Sequence, residues 1–315
     1  MRTRVLSIAV AAAVAIAGSA YAQQPPAGAG APAQGGGGQA GGRGGGPPQA
    51  PPAIKQVKPG VYMVTGAGGN STVRVTDAGL IVVDTKNRGD ENYTALMDQI
   101  KTVSQAPVKF VFVTHHHQDH SGNIGNFERA GVMVIATENL NKNLETYNPP
   151  QGKPDKANAP YTKDRKVKVG NAKAEAHYFG RGHTNGDTFV YFPDVKTVAA
   201  GDMVVATAPN CDFPFGGSVV EWVQSLDKLL KLDFDTLIPG HGNDPLTRAQ
   251  VQEFRNKLNT VVTRAQAAVK SGTPKEMLIA SIKTDDIGWN LNNPNWTQPA
   301  RLDPFYAELQ ASTKK

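Results

Sequence analysis

The sequence predicts an α+β fold: two mixed sheets packed face to face, flanked by helices. Three observations lead there. Short apolar runs that end in Gly, Asp, His or Thr recur along the chain and read as buried strands. Segments with apolar residues three and four apart stand between them and read as amphipathic helices. The order of strands followed by helices occurs twice, which suits a sandwich of two similar halves.

The chain has 315 residues, and its start reads as a targeting segment. Arg2 and Arg4 precede the apolar run Val5–Ala17, and Ala20-Tyr21-Ala22 forms a small-x-small cleavage site. The run is shorter than the roughly 20 residues a membrane-spanning helix needs. A cleaved signal peptide over 1–22 is therefore expected, with a mature chain from about Gln23, periplasmic or secreted. Residues 23–53 are almost all Gly, Pro, Ala and Gln. They have too little apolar side chain to offset the entropy of ordering, so a disordered linker is expected. The remaining 54–315 is long enough for one large domain, ending in a C-terminal helical extension.

Net charge is +6, and loss of Arg2 and Arg4 leaves 31 basic against 27 acidic residues. The excess is mild and spread out, with no basic stripe interleaved with aromatics. Nucleic-acid binding is not expected, nor is stable membrane insertion. Cys211 is the sole cysteine, so no intramolecular disulfide forms and stability rests on packing and on metal. Cys211 itself reads either as a free thiol near the site or as an inert buried residue.

The elements follow in order. Val61–Val64, Ser71–Val75 and Leu80–Val83 read as strands separated by glycine-containing turns, the last ending at Asp84. Asn92–Val103 carries Leu96, Ile100 and Val103 at helical spacing. Val108–Val113 is an apolar strand, Asn123–Ala130 opens a helix, and Val132–Ala136 is another strand. Residues 147–165, rich in Pro, Lys, Asn and Asp, read as a long loop, either a solvated connector or a flap over the site. Strands resume at Val167–Val169, Ala172–Phe179, Thr188–Phe192 and Thr197–Ala200. Val220–Lys231 is helical, Thr236–Ile238 is a short strand, Arg248–Lys270 is a long amphipathic helix, and Pro274–Ile282 a further one.

The chemistry is concentrated where strands end. Val108–Val113 runs straight into Thr114-His115-His116-His117-Gln118-Asp119-His120. His183 in Gly182-His183-Thr184, Asp202 in Gly201-Asp202 and His241 in Gly240-His241-Gly242 each follow another strand. Glycine lets the chain turn sharply and lets an ion sit close to it. Five histidines and two aspartates at strand ends point to a metal site, because imidazole and carboxylate together suit Zn²⁺. His116 lies between alternating ligands and should face the other way, behind the site. His177 sits inside a strand and reads as structural. Phe213, Phe215 and Trp222 read as an apolar wall near Asp202 or as ordinary core aromatics.

These motifs, in this order, resemble the metallo-β-lactamase superfamily over about residues 56–270. The resemblance implies an αβ/βα four-layer sandwich with metals at one edge. It implies two zinc ions: His115, His117 and His183 for the first, Asp119, His120 and His241 for the second, and Asp202 between them. It implies a shared hydroxide attacking a carbonyl or phosphoryl centre, with Asp119 orienting it and handling its proton. Asp84 resembles a position that supports the histidine-rich loop through hydrogen bonds.

One class of true β-lactamases resembled here has Cys where this chain has Asp202. Asp is found there in the glyoxalase II-like branch. The implied activity is an exported binuclear zinc hydrolase acting on a small molecule with an ester-like carbonyl: a thioester, a lactone or a β-lactam. Hydroxyacylglutathione is not favoured, since no glutathione-binding motif matches within Arg248–Lys315. Two other readings stay open. A mononuclear iron persulfide dioxygenase would use two histidines and Asp202, with iron in place of zinc. A periplasmic accessory protein would bind metal without hydrolase activity.

Overall fold

The computed structural model describes residues 50–314. The expected signal peptide and most of the expected linker lie outside them. The first sheet has seven strands in sequence order: β1 (Ala53–Lys58), β2 (Val61–Thr65), β3 (Ser71–Thr76), β4 (Gly79–Val83), β5 (Val108–Phe112), β6 (Met133–Thr137) and β7 (Ala159–Tyr161). Pairing is antiparallel from β1 to β4 and parallel from β4 to β7. The parallel half needs crossovers, supplied by α1 (Asp90–Lys101), the short α2 (Gln118–Ser121) and α3 (Ile124–Arg129), and α4 (Glu138–Thr146).

The second sheet takes β8 (Asp164–Val169), β9 (Ala172–His177), β10 (Phe189–Phe192), β11 (Thr197–Ala199), β12 (Thr236–Ile238) and β13 (Leu246–Thr247), again side by side in chain order. Only β11 and β12 are parallel, joined through α5 (Val219–Leu229). After β13 come α6 (Arg248–Lys270), α7 (Leu278–Ser281), α8 (Pro294–Thr297) and α9 (Pro299–Thr313). No helix among the described residues is long and apolar enough to cross a membrane.

Alternation along the strands sorts side chains into layers. Ile81, Val83, Phe112 and Ile135 from the first sheet meet Ala174, Ala176, Val190 and Phe192 from the second, in a dry layer between the sheets. Their neighbours Val82, Val111 and Val134 point the other way, onto Leu96, Ile100, Phe127 and Leu140 of the helices. On the far side, Val198 and Leu237 pack on Trp222, Leu226, Val251 and Leu258, and the C-terminal Trp296 and Phe305 join that core. The order helix, sheet, sheet, helix is the expected four-layer sandwich.

Four segments differ from the sequence reading. β1 starts at Ala53, paired with Thr65, so the sheet begins inside the expected linker. α4 was not expected, because its stretch is mostly polar. Thr137 caps it by accepting from the Leu140 backbone N–H at 3.1 Å, and Leu140 and Leu144 bury one face. The expected long loop is interrupted, since β7 pairs with β6 and β8 begins at Asp164. Pro160 is tolerated in β7 because that strand lies at the sheet edge. Pro274–Ile282 is not one helix but a 3-10 turn at Lys275–Met277 followed by α7.

Candidate metal centre

The parallel strands β4 and β5 end at the same edge, and the chain there turns abruptly. Asp84 follows β4 with φ 65°, a left-handed conformation costly for a non-glycine residue. Its carboxylate is spent on the histidine-rich loop. Oδ1 accepts from the Thr114 N–H at 2.7 Å and Oδ2 from the Thr114 hydroxyl at 2.8 Å. Oδ2 also accepts from His120 Nδ1 at 2.7 Å. Glycines allow close approach on the other side: a Cβ at Gly240 would lie 2.1 Å from Asp202 Oδ1, and one at Gly69 would lie 2.2 Å from the His120 ring. Asn70 ties the two halves together, donating through Nδ2 to Pro239 O at 3.0 Å and Gly242 O at 2.9 Å.

The seven predicted residues converge in two groups. His117 Nδ1 lies 3.1 Å from His115 Nε2 and 3.0 Å from His183 Nε2. In the second group, His241 Nε2 lies 3.2 Å from Asp119 Oδ2 and 3.4 Å from His120 Nε2. Asp202 stands between them. Its Oδ2 is 3.7 Å from His183 Nε2 and 4.0 Å from His115 Nε2, while its Oδ1 is 3.2 Å from His120 Nε2 and 3.4 Å from His241 Nε2. The donor atoms of His115, His117, His183 and Asp202, and those of Asp119, His120 and His241, are close enough together to hold a metal ion.

The hydrogen-bond pattern tests whether a cation fits. A neutral imidazole has one N–H, and four of these rings use it outward. His117 Nε2 donates to Asp212 Oδ2 at 2.7 Å, and His183 Nδ1 donates to Asn210 O. His120 Nδ1 donates to Asp84. The Thr114 hydroxyl has already donated to Asp84, so it accepts from His115 Nδ1 at 3.1 Å. The nitrogens that face one another are thus bare lone pairs about 3 Å apart. Two such atoms repel, and a shared cation turns the repulsion into coordination. Tetrahedral Zn–N bonds of about 2.0–2.1 Å would place their donors roughly 3.3–3.4 Å apart, close to the spacing present.

Charge points the same way. Burial holds His115 well below its ordinary pKa and His183 down at about 4, so both are neutral and free to ligate near pH 7, whereas His117, against the effect of its burial, is raised by its bond to Asp212. The second group demands positive charge. Asp202 raises His241 to about 10. Burial opposes protonation of His120 most strongly, yet Asp119, Asp202 and Asp84 together lift it well above its ordinary value. Protons on the rings are one answer to the two carboxylates, and a divalent cation is another.

The remaining predicted residues are placed as follows. His116 is buried, its ring 4.5 Å from His117, 4.3 Å from Phe215 and 4.8 Å from Tyr147. Its donor atoms lie close to those of His117 and Asp212 in a third group, which includes none of the other six converging residues. Its Nε2 has no hydrogen-bond partner and lies 3.8 Å from Asp212 Oδ2. His177 is remote, bonded to Asp164 at 2.7 Å and stacked on Phe179. Of the three expected wall aromatics, only Phe215 flanks the histidine-rich loop. Phe213 packs on Phe305, and the fully buried Trp222 lies beneath His183 with its N–H on Met203 O. Cys211 is buried, its thiol directed to Gly182 O at 3.6 Å and pushed well up in pKa by burial, which makes it inert.

Sequence reasoning missed Asp212, Asn210, Asn70 and Lys86. Lys86 is fully buried, with Nζ donating to Val64 O at 2.6 Å and Gly69 O at 2.8 Å, and so holds the loop that presses on His120. A lone Lys or Asn in an irregular stretch carries no spacing signal.

Comparison with known proteins agrees with this geometry. The model of the metallo-β-lactamase superfamily matches residues 64–241, a span containing all seven converging residues. Metallo-beta-lactamase IND-1 of Chryseobacterium indologenes is 30% identical over 175 residues, covering 55% of this chain and 71% of that protein. A hydroxyacylglutathione hydrolase of Brucella ovis is 34% identical over 139 residues, covering 42% of this chain and 47% of that protein. Among solved structures, a metallo-beta-lactamase from Pontibacter korlensis aligns with a TM-score of 0.57 at 21% identity, covering 66% of this chain and 99% of that one. The DIM-1 metallo-beta-lactamase aligns with a TM-score of 0.58 at 19% identity, covering 67% and 99%. At such identities the structural likeness bears on the fold.

Proposed function

The chain belongs to the metallo-β-lactamase superfamily of metal-dependent hydrolases, and on that premise we propose that it is an exported binuclear zinc hydrolase of an ester-like carbonyl, whether thioester, lactone or β-lactam. The observation that carries the reading is the inward set of bare imidazole nitrogens, with Asp202 turning one oxygen to each group. His115, His117 and His183 would hold one zinc, Asp119, His120 and His241 the other, and Asp202 would touch both. When bound, such a pair supplies Lewis acidity and a water-derived nucleophile at neutral pH.

The chain's own groups do the rest. Asp84, Asn210 and Asp212 orient the rings through hydrogen bonds. Asp119 has the one carboxylate of the second group that combines a ligand contact, 3.2 Å to His241, with partial exposure, 28%. It is therefore placed to take a proton at Oδ2 from an incoming water and return it to the leaving group. Tyr147 and Phe215 form an apolar flank beside His116 and His117.

Export rests on Arg2, Arg4 and the apolar run to Ala17, and a mature N-terminus near Gln23 would support it. Activity is tested on the purified mature protein by elemental analysis and by assay of a thioester, a lactone and a β-lactam. A protein that holds less than one metal equivalent after loading would sink the binuclear claim. Iron in place of zinc, with oxygen uptake on a persulfide, would replace hydrolysis by the dioxygenase reading. No turnover across the panel, with metal bound, would favour the accessory role.

A further inference from the structure

We propose that Arg301, on the C-terminal helix α9, is a positioning residue for the first metal position, acting through the segment Pro209–Asp212. The inference rests on the reading of His117 and His183 as ligands. That segment has no helix or strand of its own, yet it supplies the acceptors that orient two of the three imidazoles. Asn210 O takes the Nδ1–H of His183, and Asp212 Oδ2 takes the Nε2–H of His117 at 2.7 Å. These two bonds decide which nitrogen of each ring faces the cluster.

The segment is held partly from within the span matched by the family, the Asp212 N–H donating to His183 O at 2.7 Å, and partly from outside it. Trp296 of α8 donates its indole N–H to Pro209 O at 3.1 Å. Arg301 Nη1 donates to Asn210 Oδ1 at 3.1 Å and to Cys211 O, and lies 3.5 Å from Asp212 Oδ1. Asp212 is 4% exposed and stands between guanidinium and imidazole, one oxygen to each. A buried carboxylate held on one side only can rotate, and the ring bonded to it rotates too. The arm carrying the guanidinium is firm. Leu302, Phe305 and Leu309 of α9 are in the core, and Glu308 binds Ser218 Oγ and the Val219 N–H at the start of α5. All three contacts come from the single nitrogen Nη1, which faces Asn210 Oδ1, Cys211 O and Asp212 Oδ1 at once.

The test compares Arg301→Met, Arg301→Lys and Tyr306→Phe with the wild-type protein. Tyr306 lies on the same helix, but its hydroxyl goes to Thr273 O at 3.1 Å, away from the segment. Zinc affinity is read by chelator competition, ligand geometry by the absorption spectrum of the Co²⁺-loaded protein, and folding by thermal unfolding without metal. Arg301→Met should weaken one of two metal equivalents by about tenfold and alter the Co²⁺ spectrum of that equivalent alone. Arg301→Lys should give a smaller loss at the same position, and it carries the comparison should Arg301→Met not fold. Tyr306→Phe should leave both affinities and the spectrum unchanged. Arg301 variants that bind both equivalents like wild type overturn the inference, as does a loss that Tyr306→Phe reproduces. A wild type that binds no metal overturns the underlying reading as well, and its own titration tells the two failures apart.

Discussion

Asp84 Oδ2 lies 2.7 Å from His120 Nδ1, and neither side chain is more than 2% exposed. The same carboxylate also receives both the backbone N–H and the hydroxyl of Thr114. Three donors on one carboxylate leave no room for an amide. Asp84→Asn would aim an NH₂ at one of them. We expect a stability loss of about 1–3 kcal/mol and zinc affinity lower by about 10–100-fold, measured by thermal unfolding and chelator competition. Unchanged affinity would separate the loop's fold from its metal function.

The two groups predict different losses of metal. His183→Ala removes a donor from the first group alone and should cost one equivalent. Asp202→Ala removes the oxygen facing each group and should weaken both. Elemental analysis after dialysis distinguishes them. Equal stoichiometry in the two variants would contradict the shared position of Asp202.

Asp119→Asn keeps the size and one oxygen of the side chain but no longer takes up a proton. Turnover should fall by about 10²–10⁴-fold, while any metal ion bound through His115, His117 and His183 should be retained. A variant that retains its rate would move the proton role to another group.

Lys86 gives a pH signature. Burial lowers its ammonium to about 7, against the attraction of Asp84 and Asp119. In the unfolded chain it stays protonated up to about 10.4. Between those values the unfolded state binds more protons, so the contribution of Lys86 to stability rises with pH, by at most about 1.4 kcal/mol per unit. Below about pH 7 the cost of the buried charge is fully present. Lys86→Met should flatten stability against pH across that window when urea midpoints are compared. Parallel curves for the two proteins would refute it.

The converging residues were legible because they follow strands, four of them in the run His115–His120 after β5 and three, His183, Asp202 and His241, beside glycine. Strand ends are where a sheet delivers side chains to one edge, and the His-x-His-x-Asp-His spacing leaves little else for those residues to do. The sheets were legible for the same reason, since apolar alternation is a local signal. Part of what was not legible is not local at all. Arg301 and Asp212 act only because folding brings residues 89 positions apart into contact, and the helical spacing of α9 marks its buried Leu302, Phe305 and Leu309 but not Arg301. α4 was hidden by its polar composition, its helical logic resting on Leu140, Leu144 and the Thr137 cap. β7 was hidden because three residues with a proline carry no strand pattern.

The three bonds from Asn70 to the turn around His241, one from its backbone to Gly240 and two from its side chain, join the beginning of the fold to a point 170 residues later. The cluster is thus closed by a contact between residues far apart in the chain. A ribosome that has reached Asp202 has made six of the seven residues, yet nothing tethers the glycine loop before His120 to the turn that brings His241. The last donor arrives together with the clasp that seats it, so an incomplete chain offers only a lopsided, easily stripped site. Proteolytic fragments ending before Pro239 should be correspondingly poor at retaining an ion.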